Sequence, residues 1–185
     1  MSGQHRISGT TGIALGARAL ELLREAGVET HFVVTRHARQ TRALETDFSA
    51  EDLRGLADVS YAAGDMGAAI ATGSFRTMGM IVGPCSVRSL AEIAGGATSS
   101  LLTRAAHVTL NERRRLVLVA RETSPSAVHL HNMLAVTEAG GVVVPPVSAF
   151  YLRPSSIEDV ITHVVAQALD LFGLKMAIPR WGEDE

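Results

Sequence analysis

Short runs of β-branched residues alternate along this chain with longer stretches in which apolar side chains recur every three or four positions. That alternation constrains the fold more than any other feature. Strands separated by helical crossovers pair in parallel, and a parallel sheet needs helices on both faces. Strands are expected at Arg6 to Ser8, Thr30 to Val34, Gly79 to Val82, Leu116 to Ala120 and Val142 to Val144. A first helix is read from Gly16 to Ala26, stopped by Gly27, since glycine accepts the left-handed conformation at a helix end. The last helix is the clearest element: Ser155 with Glu158 reads as a capping box, Ile157, Val160, Ile161, Val164, Val165, Ala168, Leu169 and Phe172 keep helical spacing, and Gly173 ends it. With 185 residues and 46% hydrophobic content, the chain is expected to form one α/β domain over residues 1–185: an open parallel sheet covered on both faces.

Charge narrows the partners. Seventeen basic and nineteen acidic side chains leave a formal charge of −2, which argues against nucleic acid or an anionic membrane surface. The single cysteine, Cys85, rules out an intramolecular disulfide, and the first residues lack the apolar core of a secretory signal. No apolar run approaches the roughly 20 residues that span a bilayer. A cytoplasmic protein is expected.

Ligands of open parallel sheets bind beyond the carboxyl ends of the strands, so the loops that follow strands carry the search. Ser8-Gly9-Thr10-Thr11-Gly12 offers glycines for close backbone approach and hydroxyls beside helix N-terminal amides, a pattern that suits either a phosphate or a tight turn. Gly83-Pro84-Cys85-Ser86-Val87-Arg88-Ser89 offers Ser86 and Ser89 at another helix start. Cys85 has no base nearby in sequence and reads better as a buried small hydrophobe than as a nucleophile. Arg121 and Glu122 leave a strand together, as a surface ion pair or as an anion site tuned by its own carboxylate. The Gly-rich stretch from Gly64 to Gly73 reads as a loop at a site. His129 and His131, two apart, point to different helix faces, so no metal site is expected. Arg113-Arg114-Arg115 reads as a solvated helix end.

Together these loops resemble the UbiX-type flavin prenyltransferase family. The likeness rests on Gly9-Thr10-Thr11-Gly12 with Gly16, Leu44-Glu45-Thr46, Thr72 to Thr77, Pro84-Cys85-Ser86, the stretch from Glu112-Arg113-Arg114 through Arg121-Glu122, Met133-Leu134-Ala135, Pro145-Pro146, Phe150-Tyr151 and Arg180-Trp181. It implies a flavodoxin-like sheet, a homo-oligomer built from trimers, usually a dodecamer, and FMN bound between subunits without a metal. It further implies transfer of a dimethylallyl group from dimethylallyl phosphate to N5 and C6 of reduced FMN, with the product passed to a UbiD-type decarboxylase.

By position, the resemblance assigns FMN to Gly12, Thr11, Thr35, Ser86, Ser89 and Arg121, and the chemistry to Glu45, Glu122 and Tyr151. Arg104, Asn111, Tyr151, Gln167 and Trp181 fall around the prenyl donor. Asn111 stands where the family has lysine and Gln167 where it has arginine, both binders of the donor phosphate; Arg88 and Arg153 are nearby cations able to compensate. Two other readings therefore stay open. One is a carrier of FMN or its product that does not prenylate. The other is a flavin-dependent decarboxylase acting on cysteinyl peptides, for which His131-Asn132-Met133 is a poor substitute motif.

Overall fold

The computed structural model describes residues 2–7, 12–179 and 182, without the side chains of residues 2–7, 36 and 39. Six parallel strands form its sheet: β1 (Ser2–Ile7), β2 (Glu29–Val34), β3 (Val59–Ala62), β4 (Gly79–Cys85), β5 (Arg115–Ala120) and β6 (Val142–Val143), in the order β3-β2-β1-β4-β5-β6. The chain winds outward from β1 in one direction and from β4 in the other. The switch point lies between these two strands.

Among the described residues, seven α-helices cover the sheet: α1 (Ile13–Glu25), α2 (Arg36–Glu45), α3 (Ala50–Gly55), α4 (Val87–Ala94), α5 (Leu101–Asn111), α6 (Ala127–Glu138) and α7 (Ile157–Asp170). Alternation along the strands divides the core between the two faces. Met80, Val82, Leu116 and Leu118 point toward α4, α5 and α6, whereas Ile81, Val117 and Val119 point toward α1 and α7. A third apolar cluster, around Phe32, Val34 and Leu20, seats α2 and α3 beside α1. Strands buried on both faces read as continuous apolar runs, which is why β4 and β5 are legible from their residues alone.

The expected elements are present with shifted ends, and three readings need correction. Helix α1 starts at Ile13, not Gly16; Gly27 follows its end at φ 67, as expected of that glycine. The capping box of α7 belongs to Ser156 and Asp159, one residue beyond Ser155 and Glu158, while Ser155 donates its backbone N–H and its hydroxyl to the same Asp159 carboxylate at 2.9 and 2.8 Å. Arg114 is not solvated: its guanidinium donates to the carbonyls of Phe75 at 2.6 Å and Gly73 at 2.7 Å and pins the 64–73 loop to the end of α5.

Strand β3 has no counterpart in the sequence reading. Its residues are mostly exposed at the sheet edge, so burial leaves no apolar signature on them. A polar latch holds the edge in place: Thr30 donates its N–H and hydroxyl to the Asp58 carboxylate at 2.7 and 2.8 Å, and Asp58 N–H donates to the Thr30 hydroxyl at 3.1 Å. These bonds, first from the Thr30 backbone and then from its side chain, hold the Asp58 carboxyl below its ordinary range. Asp58→Ala is expected to cost about 1 kcal/mol in urea unfolding, at the low end because the carboxylate is exposed. The depressed carboxyl gives its stabilisation above the unfolded-state value, and that contribution disappears as pH falls through the folded value, so wild type and variant converge in acid.

Candidate active site

A cleft of about 580 Å³ opens at the carboxyl ends of β2, β3, β4 and β5. Two helix starts converge on it. Thr35 caps α2, its Oγ1 accepting from Ala38 N–H at 3.3 Å; Ser86 caps α4, its Oγ accepting from Ser89 N–H at 3.1 Å and donating to Ser89 Oγ at 3.0 Å. The amide ends of these helices carry partial positive charge and favour an anion. Arg121 and Glu122, leaving β5, complete the lining. The structure thus gathers Thr35, Ser86, Ser89, Arg121 and Glu122 in one place, though they are spread over nearly ninety positions of the chain.

Glu45 and Gly12 meet at a neighbouring point. The Glu45 carboxylate, at the end of α2, accepts from the N–H groups of Gly12 at 2.6 Å and Ile13 at 3.0 Å and so caps α1, whose own N-cap residue has no side chain to do it. Gly12 adopts φ 102, and a β-carbon there would approach Leu15 Cδ1 at 3.3 Å and Pro84 at 3.8 Å; position and backbone both favour glycine. Thr11 and Trp181 lie outside the described residues, as do Ser8, Gly9, Thr10 and Arg180.

The remaining residues are not brought together within one chain. Arg104 and Asn111 are exposed on α5, two turns apart; Arg104 donates through Nε to the Ala71 carbonyl at 3.0 Å. Tyr151, in a 3₁₀ turn at Phe150–Leu152, meets His163 of α7 edge-on at a ring separation of 6.4 Å, and Gln167 is exposed one turn further along α7. Because α5 and α7 cover opposite faces of the sheet, Arg104 and Asn111 are separated from Tyr151 and Gln167 by the sheet itself.

Several lining residues escaped sequence reasoning: His37, Ala63, Glu92, Ser99 and Ser100 all border the cleft, together with Arg88, which the sequence offered as a compensating cation. Glu92 accepts from Ser99 Oγ at 2.6 Å and Arg88 Nε at 2.9 Å, and these contacts, the hydroxyl first, hold its carboxyl below the ordinary range. The four-residue spacing of Arg88 and Glu92 was a visible signal for that pair. Cys85 is buried, and burial pushes its thiol up to about 12, so it packs rather than reacts. His129 Nδ1 accepts from Ser126 N–H at 3.1 Å at the start of α6. Among the described residues no three His, Cys, Asp or Glu side chains gather as metal ligands, and no helix is long and apolar enough to cross a membrane.

Comparison with known proteins places this arrangement. The flavoprotein family model matches residues 5–169. The flavin prenyltransferase UbiX of Neisseria meningitidis is 52% identical over 168 residues, covering 91% of this chain and 89% of that protein. A crystal structure of AnUbiX (PadA1) in complex with FMN and dimethylallyl pyrophosphate superposes with a TM-score of 0.97 at 47% identity, covering 100% of both chains. A dodecameric FMN-dependent UbiX-like decarboxylase from Escherichia coli O157:H7 gives 0.95 at 48% identity over 98% of this chain and 99% of that one. The flavodoxin-like sheet, the cleft at its switch point and relatives alike over almost their full length agree, and the chain belongs to the flavoprotein family as a UbiX-type flavin prenyltransferase.

Proposed function

We propose that this protein transfers a dimethylallyl group from dimethylallyl phosphate to reduced FMN, yielding the prenylated flavin used by a UbiD-type decarboxylase. The observation that carries the proposal is the convergence of Thr35, Ser86, Ser89, Arg121 and Glu122 in one cleft. The residues fit FMN: a cleft of about 580 Å³ lies within the range of cofactor sites, two capped helix starts face it, and Arg121 adds a full positive charge.

In this reading Gly12, Thr11, Thr35, Ser86, Ser89 and Arg121 hold FMN. Reduced FMN, when bound, supplies the nucleophilic atoms N5 and C6. Glu122 stands at the cleft as the carboxylate that exchanges protons with the flavin and the leaving phosphate. Glu45 is positioned by the amides at the start of α1, beside the switch point. Cations and hydrogen-bond donors around the donor, Arg104 and Tyr151 among them, stabilise the charge that develops on the departing phosphate. Asn111, Gln167 and Trp181 complete that surround.

Assembly belongs to the same proposal. Arg104 and Asn111 reach the same donor as Tyr151 and Gln167 only if neighbouring copies bring their opposite faces together. Helix α6 is built for such a contact: Val128, Leu130 and Leu134 are 64, 53 and 54% exposed, and Val136 is its one buried residue among those described. Exposed apolar side chains clustered on one helix in this way mark an interface, here one made by copies of this chain in a homo-oligomer, a dodecamer in the present reading.

Anaerobic incubation with reduced FMN and dimethylallyl phosphate, with the pyrophosphate run in parallel, is expected to give a flavin heavier by one five-carbon prenyl unit in mass spectrometry. Recovery of unmodified FMN with both donors sinks the transferase assignment. It favours instead the carrier reading that the neutral side chains of Asn111 and Gln167 suggest.

A further inference from the structure

The loop between β3 and β4 carries one 3₁₀ turn, Ala69–Ala71, and is held at three points by α5 and the turn that ends it. Leu101 N–H donates to the Ala63 carbonyl at 2.9 Å, where the loop borders the cleft. Arg104 Nε donates to the Ala71 carbonyl at 3.0 Å. Arg114 holds the carbonyls of Phe75 and Gly73 at 2.6 and 2.7 Å. Its own backbone is fixed to the helix, since Arg114 N–H donates to the Thr109 carbonyl at 2.9 Å.

The two arginines differ in what their terminal nitrogens do. The Arg114 side chain is 18% exposed, each terminal nitrogen has a loop carbonyl, and the Glu112 carboxylate stands 3.6 Å away. The two carbonyls belong to one turn, closed by Phe75 N–H donating to the Thr72 carbonyl at 3.3 Å, and a planar guanidinium fork spans them as an ammonium cannot. Arg104 is exposed, and among the described residues its terminal nitrogens have no other partner. Ordering a long exposed side chain around an anion costs rotamer entropy, and an anchor at Nε removes part of that cost in advance. That anchor, the Ala71 carbonyl, directly precedes the turn that Arg114 fixes.

We infer that Arg114 is a positioning residue for prenyl transfer: by fixing the Thr72–Phe75 turn it places the Ala71 carbonyl that aims the Arg104 guanidinium at the donor phosphate. The inference rests on the transferase reading above, in which Arg104 meets the donor. With both terminal nitrogens engaged by the loop, Arg114 acts through Arg104 and not on the donor.

A double-mutant cycle tests it, by calorimetric titration of FMN-loaded wild type, Arg104→Met, Arg114→Met and the double variant with dimethylallyl phosphate. Arg104→Met is expected to weaken the donor Kd by about tenfold or more, and Arg114→Met by about threefold to tenfold. The double variant should lose no more than about twofold beyond Arg104→Met, because aiming has no effect once the aimed group is gone. FMN affinity reports folding and should stay within about twofold of wild type throughout. Arg114→Lys should fall between wild type and Arg114→Met, and it replaces Arg114→Met in the cycle if that variant does not fold. A merely structural clamp gives a different pattern: its loss lowers FMN affinity and weakens donor binding equally with or without Arg104. Equal losses in the two backgrounds, a donor Kd unchanged in Arg104→Met or in the folded Arg114 variant, or no donor binding by wild type overturns the inference. Prenylated flavin is measured in the same preparations. Coupled losses of binding without product in wild type remove the transferase reading alone, whereas product with additive losses removes the positioning role alone.

Discussion

Arg121→Ala is expected to lower FMN affinity by at least about a hundredfold, the largest single-residue effect at the cleft. A charge-assisted hydrogen bond contributes about 1.5 to 3 kcal/mol, and a guanidinium that makes two of them reaches the roughly 2.7 kcal/mol that a hundredfold represents. Arg121 leaves β5 at the carboxyl end of the sheet and lines the cleft between the two capped helix starts. Arg115 begins the same strand at its other end and is exposed. Arg115→Ala is therefore the matched control, expected to change affinity by less than about twofold. Fluorescence quenching of FMN on titration with each protein reads both. Equal losses in the two variants, or no loss in Arg121→Ala, count against this map of the cleft.

Leu130→Glu with Leu134→Glu is expected to break the assembly. The two leucines lie four residues apart on one face of α6, each more than half exposed in the single chain. Burying a leucine between copies stabilises an interface by roughly 1.5 to 3 kcal/mol, and each contact in a closed oligomer repeats that gain. Carboxylates at both positions remove the gain and add like charges that must be desolvated. Sedimentation at micromolar concentration should show species smaller than the wild-type oligomer, with helical content retained. Prenyl transfer should fall more steeply than FMN binding, since Thr35, Ser86, Ser89 and Arg121 share one chain whereas Arg104 and Tyr151 lie on opposite faces. A double variant that sediments like wild type removes α6 from the interface.

The strands buried on both faces were legible because their burial writes itself into the residues: Met80, Ile81 and Val82, or Leu116 to Val119, are apolar whichever way they point. Strand β3 was not legible, because an exposed edge places no such demand and is set instead by Thr30 and Asp58, twenty-eight positions apart. The cleft was legible at its strand-following loops, where Ser86, Ser89, Arg121 and Glu122 stand beside the strands that position them. Glu92 and Ser99 were missed: they sit on a helix and in the loop before the next one, and their meeting at 2.6 Å depends on how α4 packs against α5. The shift of the α7 capping box from Ser155 to Ser156 has a local cause, since two serines compete for one Asp159 and only the geometry of the turn chooses between them.

What the sequence determined by itself was therefore everything that depends on local periodicity and strand order: the parallel sheet, its two helical layers and the hydroxyl-rich loops at its carboxyl end. Only the tertiary structure decided that Glu45 caps α1, that His163 faces a cavity with both nitrogens unmet, and that Arg104 and Asn111 of α5 stand on the opposite face of the sheet from Gln167 of α7. Each of those outcomes depends on contacts between residues far apart in the chain, whose direction is set by helix packing over a twisted sheet, and no short window of residues carries that information.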